Sequence, residues 1–239
     1  MRWRLVASVI VVSVSSLAAC TGSPPTVTTA PSVPEFSVRQ LPPSPSPLRV
    51  EVQAGEVDAL IPADWDVRPI SASRYPQEGF VASPQLSQWE QEAGVVRGME
   101  AFWVDITRLR IPSDYYYLVA RGPAVSSLAG NKNCHPTGQQ VLADHPPELT
   151  GRHFSPGDYV ISAEGTCRSQ GQATKWAYIV AAPGFGPVRE VGLPSSGLYV
   201  VLAVVSGKRA DALLQQMLQA ARFGNVPITQ IVAVARTNT

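Results

Sequence analysis

The sequence predicts an α+β domain built on a largely antiparallel sheet with packing helices. Three features carry that expectation: early period-two alternation, two late and nearly continuous apolar strands, and one amphipathic helix behind them. Leu48, Val50 and Val52 alternate with Arg49 and Glu51. After the turn residue Gly55, Val57 to Ile61 forms a second strand that stops at Pro62, so the domain opens on a hairpin. A short helix is expected over Gln85 to Glu92. Gly98 to Thr107 follows as a strand with Phe102, Val104 and Ile106 on one face and Trp103 and Asp105 on the other. Pro112 or Ser113 opens a second helix that runs to Arg121 and ends at Gly122 and Pro123. Asp158 to Thr166, Lys175 to Ala182 and Gly197 to Val205 are strands, and the last two are apolar enough to be covered on both faces. Ala210, Leu213, Leu214, Met217, Leu218 and Ala221 recur at helical spacing, with Ser206 available as N-cap and Gly224 as stop.

Ahead of this domain lie two segments of different composition. Arg2 and Arg4 precede an apolar run from Leu5 to Val14, and Leu17, Ala18, Ala19 and Cys20 follow. A positive end, a run too short to span well and small residues before a cut describe a signal peptide over residues 1–19. The Leu17 to Cys20 tetrapeptide resembles the lipobox of bacterial lipoproteins. That resemblance implies cleavage before Cys20, lipid on its thiol, and attachment to the outer face of a cell membrane, where two acyl chains anchor far more stably than one. From Thr21 to Pro47 prolines recur among Ser, Thr and Val, a composition with too little apolar surface to fold, so residues 20–47 are expected to be a lipidated, extended tether. Residues 48–239 then form a single extracytoplasmic domain.

Charge narrows the function. The chain carries a formal net charge of +1, and loss of Arg2 and Arg4 with the signal peptide takes the mature chain to about −1. No basic surplus remains to attract nucleic acid.

The hairpin closed by Pro62, Ala63, Asp64 and Trp65, together with the late strand Gly197 to Val205 and the helix ending in Arg222, Phe223 and Gly224, resembles the PsbP-like or Mog1-like lipoproteins of actinobacteria. The resemblance implies an α/β/α sandwich and an accessory or binding role without a catalytic motif. It carries over no functional residues, and the stretch from Gly98 to Cys167 has no counterpart in it.

With Cys20 assigned to lipid, Cys134 and Cys167 are left as a pair in an oxidising compartment, where a disulfide is the default. Catalytic patterns are otherwise absent from the sequence. No serine sits in a Gly-x-Ser-x-Gly elbow or three residues before a lysine, there is no Walker loop, and Gly184, Gly186 and Arg189 break the dinucleotide pattern. His135, His145 and His153, with Asp144 and Glu148, fit no standard metal spacing. Pro136, Pro146 and Pro147 make the region read as an irregular surface loop. Asp64 and Asp66 share a face only in an extended chain and read as a strand-end turn between Pro62 and Pro69.

One cluster points to recognition. Trp103 and Asp105 end a strand, and Ser113, Asp114, Tyr115, Tyr116 and Tyr117 open the next element. Successive helical side chains diverge by about 100°, so three consecutive tyrosines cannot all face one core. Tyrosine and tryptophan join apolar area to a hydrogen-bonding tip, which suits a sugar, glycolipid or protein partner. The expected function is therefore non-enzymatic binding at the cell envelope, through Trp103, Asp105, Tyr115, Tyr116 and Tyr117, with no cofactor and no metal. A hydrolase using His135, His145 and His153, and an accessory subunit of an envelope transporter or cell-wall machine, are the alternatives.

Overall fold

The computed structural model describes residues 36–70, 77–91, 96–105, 134–144, 148–150, 153–155, 159–169, 172–182, 192–193 and 197–237. The opening hairpin forms as its alternation dictates. Strand β1 (Ser37–Gln40) pairs with β2 (Leu48–Ala54), and β2 pairs with β3 (Val57–Pro62). Gly55 turns β2 into β3 with φ of 59°, the left-handed region that only glycine enters without strain. Past Pro62 the chain bends so that the Trp65 N–H donates to the Pro62 carbonyl at 3.3 Å, and the indole is buried in the core.

The rest of the sheet structure joins two meanders, β4-β5-β6 and β10-β11-β12, through the pairing of β6 with β12. Strands β4 (Asp66–Pro69), β5 (Gln77–Ser83) and β6 (Gly98–Asp105) lead to β7 (Cys134–Asp144), a small pair β8 (Glu148–Thr150) and β9 (His153–Ser155), then β10 (Tyr159–Ser169), β11 (Gln172–Ala182) and β12 (Gly197–Ser206). Seven of them form one sheet in the order β4-β5-β6-β12-β11-β10-β7, with every pairing antiparallel. The apolar strand β12 takes its centre, with Gly197 through Val205 all buried. Strands β1, β2 and β3 form a second sheet, completed by β13 (Arg222–Phe223) and β14 (Val226–Pro227).

Helix α1 (Leu86–Gln91) follows Ser83, whose hydroxyl accepts from the Gln85 N–H at 3.0 Å and donates to the Arg97 carbonyl at 2.6 Å. Helix α2 (Ala210–Ala220) lies over β11, β12 and β3, and α3 (Ile228–Thr237) lies over β7 and β10. The small sheet and these two helices cover one face of the large sheet. Their shared core includes Val52, Ile61, Phe80, Tyr199, Val201, Leu214, Met217, Phe223 and Ile231. The opposite face buries Trp89, Phe102, Val104, Trp176, Val180, Val200 and Leu202. The domain is thus α+β with a mostly antiparallel sheet, as its patterning requires.

Four expectations change. Ser37–Gln40 falls inside the stretch expected to be tether, yet it is strand: Val38 and Arg39 interrupt the prolines, and β2 offers a free edge. Ser206 does not cap α2. Arg209 holds that position without a side-chain bond, because the chain first turns at Gly207, φ 104°. Gly224 does not stop α2 either. The helix ends at Ala220 with Ala221 extended, and Gly224, φ 54°, turns β13 into β14. Finally, Pro136 lies in strand β7 rather than in a loop. Among the described residues the strand pairs only with β10, and register shifts opposite Glu164/Gly165 and Val160/Ile161 mark bulges, so an edge strand accommodates a proline that lacks the N–H.

Candidate functional site

Strand alternation and register assemble an aromatic and acidic cluster at the end of β6. Trp103 and Asp105 share one face, as the sequence expects, while Phe102 and Val104 point into the opposite core. Trp103 stands directly between Tyr199 on β12 and Glu78 on β5, and Asp105 stands opposite Gly197. A β-carbon at Gly197 would collide with the Tyr199 ring and sit against Trp103 Nε1, so the phenol and the indole nitrogen converge over that glycine. A side chain at Gly55 would likewise meet the carboxylate of Glu78, which places the β2–β3 turn beside the cluster. Glu56 sits in that turn, its carbonyl accepting from the Gly224 N–H at 2.6 Å, and Phe223 packs on Tyr199 with ring centroids 4.7 Å apart.

The electrostatics follow from this geometry. Burial above all, then the negative charge of Glu56 and less that of Asp105, holds the Tyr199 phenol above its usual range. The indole of Trp103 offsets part of that rise as a neighbouring donor. The two groups nevertheless fail to form a hydrogen bond of acceptable geometry, and both Trp103 Nε1 and the Tyr199 hydroxyl are buried without a partner among the described residues. Two unpaired polar atoms side by side in a core cost about 1–3 kcal/mol each unless something satisfies them. A neutral phenol and an indole N–H donate hydrogen bonds, and the surrounding carboxylates accept them. The arrangement therefore sets hydrogen-bond donors beside acceptors.

Tyr115, Tyr116 and Tyr117 lie outside the described residues, as do Ser113 and Asp114. His135 is exposed on β7 and His153 lies on β9, while His145 is outside the described residues. Among the described residues, no group of three His, Cys, Asp or Glu side chains is placed to hold a metal ion. Asp64 and Asp66 are exposed at the turn into β4. Cys134 and Cys167 face each other across β7 and β10 with their sulfurs at bonding distance, 2.02 Å, so the pair ties the edge strand to its neighbour.

Sequence reasoning missed Tyr199, Glu56 and Glu78. Tyr199 reads as one more apolar position in a core strand, and only strand pairing brings it beside Trp103 across more than ninety residues of chain. No protein-family model matches the chain, and no curated protein matches it either.

Proposed function

We propose that the chain is a lipid-anchored protein of the cell envelope that binds a ligand or protein partner outside the membrane without transforming it. The observation that carries binding is the juxtaposition of Trp103 and Tyr199, two aromatic groups with unsatisfied polar atoms among the carboxylates of Asp105, Glu56 and Glu78. Anchoring rests on the positive end, apolar run and Leu17 to Cys20 tetrapeptide of the leader. No helix among the described residues is long and apolar enough to cross a membrane. We further propose a PsbP-like or Mog1-like sandwich, a reading supported by the opening hairpin, the buried Trp65 after Pro62 and the helix packed behind β12.

Replacing Cys20 with Ala removes the acyl acceptor. In cells fed an alkyne-tagged fatty acid, the wild-type chain takes up label and is shortened, whereas Cys20→Ala stays unlabelled and full length. Processing of the variant at the same position, with wild-type membrane retention, rejects the anchor. For the binding half, Tyr199→Phe deletes only the hydroxyl. It should weaken capture of envelope glycolipid extract by the full-length protein about tenfold, a loss of roughly 1.4 kcal/mol, while the melting temperature holds or rises because an unpaired buried hydroxyl is removed. Unchanged capture rejects the cluster as the site.

A further inference from the structure

The outward side of the small sheet carries a second feature, separate from the Trp103 cluster. Alternation sends Val50, Val52, Val57, Ala59 and Ile61 inward, so the residues between them stand on the far side. Register arranges these in two rows. Ser37 faces Gln53, Gln53 faces Asp58, and Asp58 faces Arg222; in the next row Arg39 faces Glu51 and Glu51 faces Leu60. The end of α2, with Gln219 and Ala220, closes one side and leaves a groove of about 710 Å³. That is the size of a small-molecule site.

Its chemistry is selective. Arg39 Nε donates to Glu51 Oε2 at 2.8 Å, so that pair satisfies itself at one end. At the other end Asp58 lies opposite Arg222. Partial burial first, then the charges of Glu51 and Glu56, still hold the Asp58 carboxyl above its usual range despite the guanidinium. The lining carries two guanidiniums and two carboxylates, Arg39 and Arg222 against Glu51 and Asp58, so it presents no net charge to select an ion. Between them lie the amides of Gln53 and Gln219, a serine hydroxyl, and an apolar strip of Leu60 and Ala220. Donors and acceptors intermixed around an apolar strip match a molecule whose hydroxyls both give and accept hydrogen bonds and whose ring carbons are apolar.

We propose that this groove binds a short neutral oligosaccharide. The small sheet stands between the groove and the Trp103 cluster, so the proposal goes beyond the binding reading above, and either site can fail without the other.

The test uses the full-length chain in a detergent without a sugar headgroup, with saturation-transfer NMR as the readout. The probes are maltotriose, cellotriose and triacetylchitotriose, with spermidine and inorganic phosphate as charged competitors. At least one trisaccharide should receive saturation and bind more tightly than either ion. Gln53→Ala and Asp58→Asn, both on the outer side of the sheet, should each weaken it at least tenfold while the melting temperature holds. Absence of transfer to all three sugars overturns the proposal, as does preference for spermidine or phosphate, or binding unaltered in both variants. Loss of sugar binding in Tyr199→Phe with both groove variants intact assigns the sugar to the Trp103 cluster and overturns it equally.

Discussion

The two faces of the seven-stranded sheet bury comparable apolar side chains but treat their polar groups differently. On the face covered by the small sheet and helices α2 and α3, the polar atoms sit at one end, where Tyr199 and Trp103 meet Glu56, Glu78 and Asp105. On the other face a carboxyl lies within the apolar layer itself. Glu100 stands between Val81 on β5 and Leu202 on β12, and burial pushes its carboxyl up to about 7. That face also holds the indole nitrogens of Trp89 and Trp176, buried without partners among the described residues, and the Cys134–Cys167 bridge. Clustered polar groups share neighbours and can serve recognition. A lone carboxyl in an apolar layer costs stability whenever it ionises.

The largest effect is expected where packing alone holds the first face. Phe223→Ala removes a fully buried ring packed at a tilt against Tyr199 and should cost about 3–5 kcal/mol, read from urea unfolding. A loss under about 1 kcal/mol would mean that this face is loosely packed. On the second face, Cys134→Ser opens a link between positions 33 residues apart, which the chain-entropy treatment values at roughly 3–4 kcal/mol. Thiol titration of unfolded, unreduced protein should find neither Cys134 nor Cys167 reactive.

Glu100 gives the next effect, and its sign is set by the direction of the shift. The folded carboxyl holds its proton more tightly than an unfolded one, whose value is 4.5, so the native state binds more protons between about 4.5 and 7. Stability should therefore fall as pH rises through that window, with the penalty complete above it. Glu100→Gln should stabilise the protein by about 1–3 kcal/mol at pH 8, less than the full shift because the side chain keeps some solvent contact, and by almost nothing at pH 4. Equal melting temperatures for variant and wild type at pH 8 would show that the carboxyl is solvated or paired. The smallest effect lies off both faces. Arg39→Ala breaks an ion pair whose side chains are 71% and 43% exposed, and should change stability by no more than about 1 kcal/mol in thermal melts, less in high salt.

Much of the fold was legible because its signals are local. The hairpin at Gly55, the strands β10, β11 and β12, and α2 follow from alternation, apolar runs and helical spacing within a few residues. The short strands β1, β4, β13 and β14 carry no such signal, since two to four residues cannot display a period. Proline content argued against β1 and against β7, and only the presence of a partner edge decides for them. Half of the candidate cluster was legible in the same way: β6 alternation alone puts Trp103 and Asp105 on one face.

What the sequence by itself determined is therefore whatever depends on neighbours along the chain: a largely antiparallel α+β domain after a proline-rich stretch, a central strand at Gly197 to Val205, and Cys134 and Cys167 as the candidate disulfide pair. Tertiary structure alone decided which residues meet across strands. It set Tyr199 against Trp103, isolated Glu100 in an apolar row, and lined up Gln53, Asp58 and Arg222 on the outer face. The physical reason is that strand register couples positions distant in sequence, and a shift of one residue would send each of these side chains to the opposite face.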